Sequence, residues 1–412
     1  MNLKSIISVA LIATICTTSA FAQRKKKKDE NQEPEKYKFE VVKENPITSI
    51  KDQNNSGTCW SFSAISFFES EILKAGYKGE DLDLSEMFVV SNSYKDKAEK
   101  FVRLHGSLNF GGGSSFGDAL MVLQKYGAVP DKNMDGLKYG KEAHVHGELD
   151  ALTDAYVNAV IKNKNRTLST AWKDGFAGIV DAYLGEAPEK FVANGKEETP
   201  KSYVESLNIN PDDYVDLTSW THHPFYAPMV IEVPDNWRWE TSYNLPIEEL
   251  LAVIDNAIEN GYTVAWASDV SEKGFDRSGV ATVPDATKTK GTGSDQARWI
   301  GMSKDDINTN MYTCPFPEKE ITQEMRQEGY DNYQTTDDHG MHLFGKAVDQ
   351  NGKVFYMVKN SWGDAGEYNG IWYVSEAFIK YKTMDVLINK NAIPYEIRAK
   401  LNLFGLMRLQ FL

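Results

Sequence analysis

The run Gln53-Asn54-Asn55-Ser56-Gly57-Thr58-Cys59-Trp60-Ser61-Phe62-Ser63 constrains this chain more than any other stretch. A polar turn holding Gly57 gives way to Phe62, Ile65, Phe68 and Ile72, spaced three and four residues apart. That period predicts a buried helix from about Cys59 to Leu73. Cys59 would open this helix, where unpaired N–H groups and the helix dipole favour a thiolate over a thiol. A lone cysteine is usually a small buried hydrophobe. A glutamine six residues earlier, Gly57 and Thr58 before it and Trp-Ser-Phe-Ser after it mark Cys59 instead as a candidate nucleophile.

Such a nucleophile needs a base, and the base needs a third group to orient it. Asp338-His339-Gly340-Met341-His342-Leu343-Phe344-Gly345 offers two histidines, and Tyr356-Met357-Val358-Lys359-Asn360-Ser361-Trp362-Gly363 offers an asparagine. Between them Asp349-Gln350-Asn351-Gly352 is a turn signal, which predicts a hairpin with strands at 341–348 and 353–359. With a two- or four-residue loop, Asn360 faces Leu343 or Met341. Alternation along the strand then puts His339 on the Asn360 side and His342 on the other. An odd loop would reverse that choice.

These segments resemble those of papain-like cysteine peptidases, in the Cys59 motif, in His339-Gly340…Gly345 and in Asn360-Ser361-Trp362-Gly363. The resemblance also selects His339. It implies that His339 takes the Cys59 proton, its imidazolium holding the thiolate's pKa down, while Asn360 fixes the ring's tautomer and orientation. Trp362 would shield that hydrogen bond. The Gln53 side-chain amide and the Cys59 backbone N–H would form an oxyanion hole. Phe110-Gly111-Gly112-Gly113-Ser114-Ser115 matches a third element, in which Gly112 and Gly113 hydrogen-bond substrate main chain. That loop lacks the spacing of a phosphate-binding motif, and no Lys-Ser or Lys-Thr follows it.

At 412 residues the chain exceeds what a minimal domain of this kind needs. Residues 1–22 read as a signal peptide: Lys4, an apolar stretch from Ile6 to Ile15, then Ala20-Phe21-Ala22. The apolar stretch is too short to span a membrane, so an exported, periplasmic or secreted product is expected. Cleavage would remove Lys4 and Cys16, taking the net charge from −14 to −14 − 1 = −15 and leaving Cys59 and Cys314 unpaired. That charge argues against nucleic acid as a partner. Residues 23–39, with Arg24-Lys25-Lys26-Lys27-Lys28 followed by Asp29, Glu30, Glu33 and Glu35, read as a disordered tether.

The remainder, 40–412, reads as one peptidase domain with an insertion at about 131–330. Residues 40–130 look mostly helical, with Leu84-Ser85-Glu86 opening one helix. Helix-like stretches follow at 149–163 and 245–260, with a strand-like run from Tyr262 to Asp269. His222 and His223 have no carboxylate or cysteine at ligand spacing, so neither a metal nor another cofactor is expected.

The long insertion, Ser56 where secreted relatives carry another cysteine, and the Trp266-Ala267-Ser268-Asp269-Val270 run resemble the bleomycin hydrolase and aminopeptidase C branch. That resemblance implies an α+β fold. A helical part carrying the nucleophile helix would pack on a β-rich part carrying the His339/Asn360 hairpin. It also implies peptide substrates, release of N-terminal residues, and homo-oligomers, hexamers in the family. The apolar end Asn402–Leu412 does not match the family's tail, which supplies a carboxylate to the cleft. A papain-like endopeptidase with an open cleft and a catalytically silent peptide-binding scaffold are the alternative readings.

Overall fold

The computed structural model describes residues 34–79, 82–164, 167–287 and 310–403. The signal-peptide reading, the basic run and the apolar tail from residue 404 fall outside them. Two compact units are separated, one of residues 1–37 with 284–318 and the other of 38–283 with 319–412. In the first, Met311, Cys314 and Phe316 form a small apolar cluster. Asp285 N donates to Pro317 O at 2.9 Å there.

The second unit carries everything that follows. Its principal helices are α1 (Cys59–Lys74), α2 (Glu86–Arg103), α3 (Phe116–Lys125), α4 (Gly147–Ile161), α5 (Ala171–Leu184), α6 (Ile247–Glu259), α7 (Glu376–Lys382) and α8 (Tyr395–Lys400). An eleven-stranded sheet is built from β1 (Phe39–Glu44), β2 (Tyr214–Thr218), β3 (Pro228–Val230), β4 (Thr241–Asn244), β5 (Val264–Ser268), β6 (Phe275–Asp276), β7 (Val280–Ala281), β8 (His339–Asp349), β9 (Val354–Lys359), β10 (Ile371–Ser375) and β11 (Thr383–Asn389). The strand order is β3-β4-β2-β11-β5-β8-β9-β10-β7-β6, with β1 also paired to β8. One core joins α1 to α5 with Ala265 and Leu387 from the sheet. The other joins the sheet to α6, α7 and α8. This is the expected α+β arrangement. Residues 131–330 supply helices to the first core and β5 to the centre of the sheet, between β8 and β11.

Helix α1 is buried from Trp60 to Ile72, so its serines and glutamates must find partners inside. Ser61 Oγ donates to Glu86 O, Ser70 Oγ donates to Pro46 O, and Glu69 accepts from Leu84 N and Thr48 Oγ1. Those bonds fix α1 between the helices and the sheet. Ser85 caps α2 by accepting from Phe88 N at 2.9 Å, as the Leu84-Ser85-Glu86 signal implied.

Two local readings change. Residues 39–44 are a strand, not tether or helix, and Phe39 stacks on Tyr373 with ring centroids 3.9 Å apart. Alternation in β1 is masked because four of its side chains face solvent. The hairpin loop is odd: Asp349 N donates to Lys353 O at 2.9 Å, enclosing Gln350, Asn351 and Gly352, whose φ is +81°. An odd loop alone would have put His342 beside Asn360. However, the register runs Gly345↔Met357 and then Leu343↔Val358, leaving Phe344 as an extra residue. This bulge shifts the strand by one and restores the parity. Continued past His342↔Lys359, it sets Met341 opposite Asn360.

Candidate active site

Cys59 is the first residue of α1 and is half-buried. The polar turn before it packs against the glycine loop: a Cβ on Gly57 would lie 3.5 Å from Gly112 Cα, and one on Gly112 would lie 3.4 Å from Gly57 Cα. These are ordinary contact distances, so the two backbones lie in van der Waals reach of each other. Trp60 Nε1 donates to Gly112 O at 2.9 Å. From α2, buried Lys97 donates through Nζ to Gly111 O at 3.0 Å and also to Gly113 O. Sequence reasoning missed Lys97, since a lysine among charged neighbours on a helix ordinarily reads as solvated.

His339 begins β8, and Gly340 behind it packs against α1. A Cβ there would meet Ser63 Oγ at 2.8 Å and Trp60 Cα at 3.3 Å. His339 Nε2 and Asn360 Oδ1 are 2.8 Å apart. As Asn360 Oδ1 also accepts from Ser361 N, the ring is the donor and Nδ1 is its basic nitrogen. Trp362 stacks on the ring with centroids 4.8 Å apart and covers this bond. Gln53 joins the same segment: its N–H donates to Ser361 O at 2.8 Å, and its Oε1 accepts from Ser361 Oγ at 2.5 Å. One hydrogen of Gln53 Nε2 is used by Ser56 O at 2.8 Å, which leaves the other. His342 points away and is buried, its Nδ1 2.9 Å from Ser66 Oγ.

Cys59, Gly113 and His339 line one cleft that opens to solvent. Gly112, Asn360 and Gln53 do not line it; Asn360 reaches it through its hydrogen bond to His339. Asp216, Asp235, Asp337, Asp338, Asp385 and Glu240 line the same cleft. None of these carboxylates was singled out in the sequence, because they come from four separated segments.

The electrostatics correct one expectation. Burial pushes the Cys59 thiol up to about 12; backbone N–H groups of Gly340 and Trp60 oppose this, whereas Asp337 and Asp235 add to it. Burial also takes His339 down to about 4, against the Asn360 hydrogen bond. Both shifts act against a thiolate–imidazolium pair in the empty cleft. The helix N-terminus acts in the anticipated direction but is outweighed by desolvation and by acidic neighbours.

At His222 and His223 the fold brings Glu232 alongside, a carboxylate ten and nine residues away in the sequence. The three offer ligand atoms within 4.8 Å of one another, and His222 Nε2 lies 3.6 Å from Glu232 Oε2.

The comparisons agree with this geometry. Residues 34–167 match the model of the papain family cysteine proteases, and residues 291–404 that of the Peptidase C1-like family. Aminopeptidase C of Listeria monocytogenes is 22% identical over 389 residues, 84% of this chain and 81% of that protein. Aminopeptidase C of Lactobacillus helveticus is 20% identical, over 86% of this chain and 83% of its own. The crystal structure of PepW from Lactobacillus rhamnosis superposes with a TM-score of 0.67 at 19% identity, covering 88% of this chain and 84% of that one. The fold is thus papain-like, and the two matched segments, one at each end of the described chain, are similar to papain-type cysteine proteases. Over most of its length the chain is similar to proteins named aminopeptidase C.

Proposed function

We propose that this chain hydrolyses peptide bonds by thiol chemistry at Cys59 and releases residues from free N-termini. The observation that carries this reading is the His339–Asn360 pair, covered by Trp362, with His339 lining the same cleft as Cys59. As Sγ approaches the scissile carbonyl carbon, His339 Nδ1 takes the thiol proton, so both charges arise together and stabilise each other. The C–N bond then breaks, and the amine leaves with that proton. Water, deprotonated by the same nitrogen, cleaves the thioester and restores the thiol. Asn360 holds the ring, a positioning role. The remaining Gln53 Nε2 hydrogen and the Cys59 N–H, which has no acceptor within its helix, would receive the developing oxyanion. Gly112 and Gly113 would bind substrate main chain.

Release of N-terminal residues rests on relatives named aminopeptidase C and aminopeptidase G. The N-terminal pattern Lys4, Ile6–Ile15 and Ala20-Phe21-Ala22 supports export. Homo-oligomerisation is supported by the family resemblance, and light scattering on the purified protein tests it. The function is tested with one peptide offered free or acetylated at its N-terminus, the cuts being read by mass spectrometry. Stepwise loss of residues from the free peptide, abolished in Cys59→Ala, is expected. Internal cuts in both peptides would replace the aminopeptidase reading with an endopeptidase. Full activity in Cys59→Ala would end the mechanism.

A further inference from the structure

The carboxylates of the cleft divide by whether the protein itself neutralises them. Lys97 acts on Asp235, which also accepts from Asn109 Nδ2 at 3.2 Å. Arg238 Nη2 pairs with Glu240 Oε1 at 2.5 Å. Asp338 accepts the backbone N–H groups of Val270 and Ser271. These three are accounted for by the fold. Asp216 on β2, Asp385 on β11 and Asp337 just before β8 are not. Among the described residues no lysine or arginine pairs with any of them, and the charges that act on Asp216 and Asp337 are those of other carboxylates. Asp216 takes one hydrogen bond, from Ser242 on β4, while its Oδ1 is buried without any partner.

Register explains why they meet. Asp385 pairs with Thr218 and Leu387 with Asp216, so the two aspartates occupy one face of the sheet. That face is the one shared with α1, since Leu387 belongs to the core that α1 organises. Asp337 arrives from the side, two residues before His339, and its charge is felt by the Cys59 thiol. Burial pushes all three carboxyl groups up, Asp385 to about 7, and neighbouring carboxylates add to this for Asp216 and Asp337, so in the empty cleft they shed charge by holding protons and a cation arriving beside them would favour their ionised forms.

We propose that Asp216, Asp337 and Asp385 form a subsite for a cationic nitrogen of the substrate close to the scissile bond. This deepens the peptidase reading and rests on it. The nitrogen has two sources of the same chemistry: the free α-ammonium of an N-terminal residue, or the side chain of a neighbouring lysine or arginine. Either would donate charge-assisted hydrogen bonds to oxygens that the fold leaves bare. The same cation would offset the acidic groups that disfavour a Cys59 thiolate, so that the substrate would help to activate the nucleophile.

Four coumarin amides separate the sources: alanyl, acetyl-alanyl, acetyl-lysyl-alanyl and acetyl-leucyl-alanyl. Each is assayed with the full chain and with Asp385→Asn, Asp216→Asn and Asp385→Glu, with thermal midpoints taken alongside. A cationic substrate should exceed its neutral counterpart in kcat/KM by at least about tenfold. Asp385→Asn should remove most of that ratio without lowering turnover of the neutral substrate, and Asp385→Glu should retain it. A preference for alanyl over acetyl-alanyl assigns the site to the α-ammonium; one for acetyl-lysyl over acetyl-leucyl assigns it to the side chain. Equal turnover of charged and neutral substrates would overturn the proposal, as would equal loss on both in the asparagine variants. A preference abolished by a chelator would overturn it too, giving the carboxylates to a divalent cation. If no substrate is cut and iodoacetamide does not label Cys59, the peptidase reading itself fails. If Cys59 is labelled and neutral substrates alone are cut, only the subsite fails.

Discussion

Gly340→Ala is the sharpest probe of how the two halves of this site are held. The glycine is in a strand and has no positive φ, so its substitution acts through space and not through backbone strain. The added methyl would lie 2.8 Å from Ser63 Oγ, 3.2 Å from Phe116 Cε1 and 3.3 Å from Trp60 Cα. Ser63 cannot swing aside freely, because its hydroxyl donates to Cys59 O at 2.7 Å. The strand must therefore back away from the first turn of α1 by several tenths of an ångström, taking His339 with it. Overpacking of this kind costs about 1–3 kcal/mol of stability. A displacement approaching 1 Å between reacting groups costs about 10² in rate. Urea unfolding should show the former, and kcat/KM on an aminoacyl-coumarin the latter. Ser63→Ala removes the nearest atom, so the double variant should recover part of both losses while Ser63→Ala alone stays near wild type. Loss in Gly340→Ala that is unchanged by Ser63→Ala would refute the steric argument. Activity within twofold of wild type would show that strand–helix spacing does not limit the reaction.

His339→Ala should abolish hydrolysis with little change in fold. His342→Gln should lower stability by about 1–3 kcal/mol, through loss of the buried Ser66 contact, yet leave kcat of the folded fraction near wild type. Iodoacetamide alkylation of the free protein should still accelerate above pH 9, because burial and Asp337 and Asp235 hold the Cys59 thiol up; a rate that levels below pH 8 would contradict this electrostatic picture. Burial raises Glu69 and Glu71 to about 7 and Glu86 to about 8, from 4.5. Each binds its proton more tightly folded than unfolded, so its contribution is full below about 4.5 and is lost as pH rises to 7–8. His146 and His339, lowered to about 4 from 6.5, act oppositely, their contribution being lost as pH falls below 6.5. The thermal midpoint should thus be higher near pH 6 than at pH 8, and a midpoint rising steadily to pH 8 would contradict the burial of these glutamates.

The parts of this site legible in the sequence are those whose chemistry is local. Cys59 with its helix, the glycine loop at Gly112 and Gly113, and Asn360-Ser361-Trp362-Gly363 are each recognised from neighbouring residues in one short segment. The choice between His339 and His342 was legible only in part. It depended on a count along two strands, and the count involved two irregularities that cancel: an odd loop and the extra residue Phe344. A bulge leaves no reliable mark in alternation when nearly every side chain of the strand is buried, as from His339 to Gly345.

The electrostatic character of the cleft was not legible at all. Asp216, Asp337 and Asp385 stand in separate segments, and each taken alone reads as a solvated carboxylate. They share a site because β2 and β11 pair in one register and β8 begins two residues after Asp337. The sign of the Cys59 shift follows first from burial, with Asp337 of these three, and Asp235 besides, adding to it. Helix position, which the sequence announces, favours the thiolate; burial and convergent aspartates, which only the sheet brings about, oppose it. Chemistry at this cysteine is thus assigned by a motif, while the state in which it waits is set by residues far away in the chain. A substrate that brings its own positive charge would close the gap between the two.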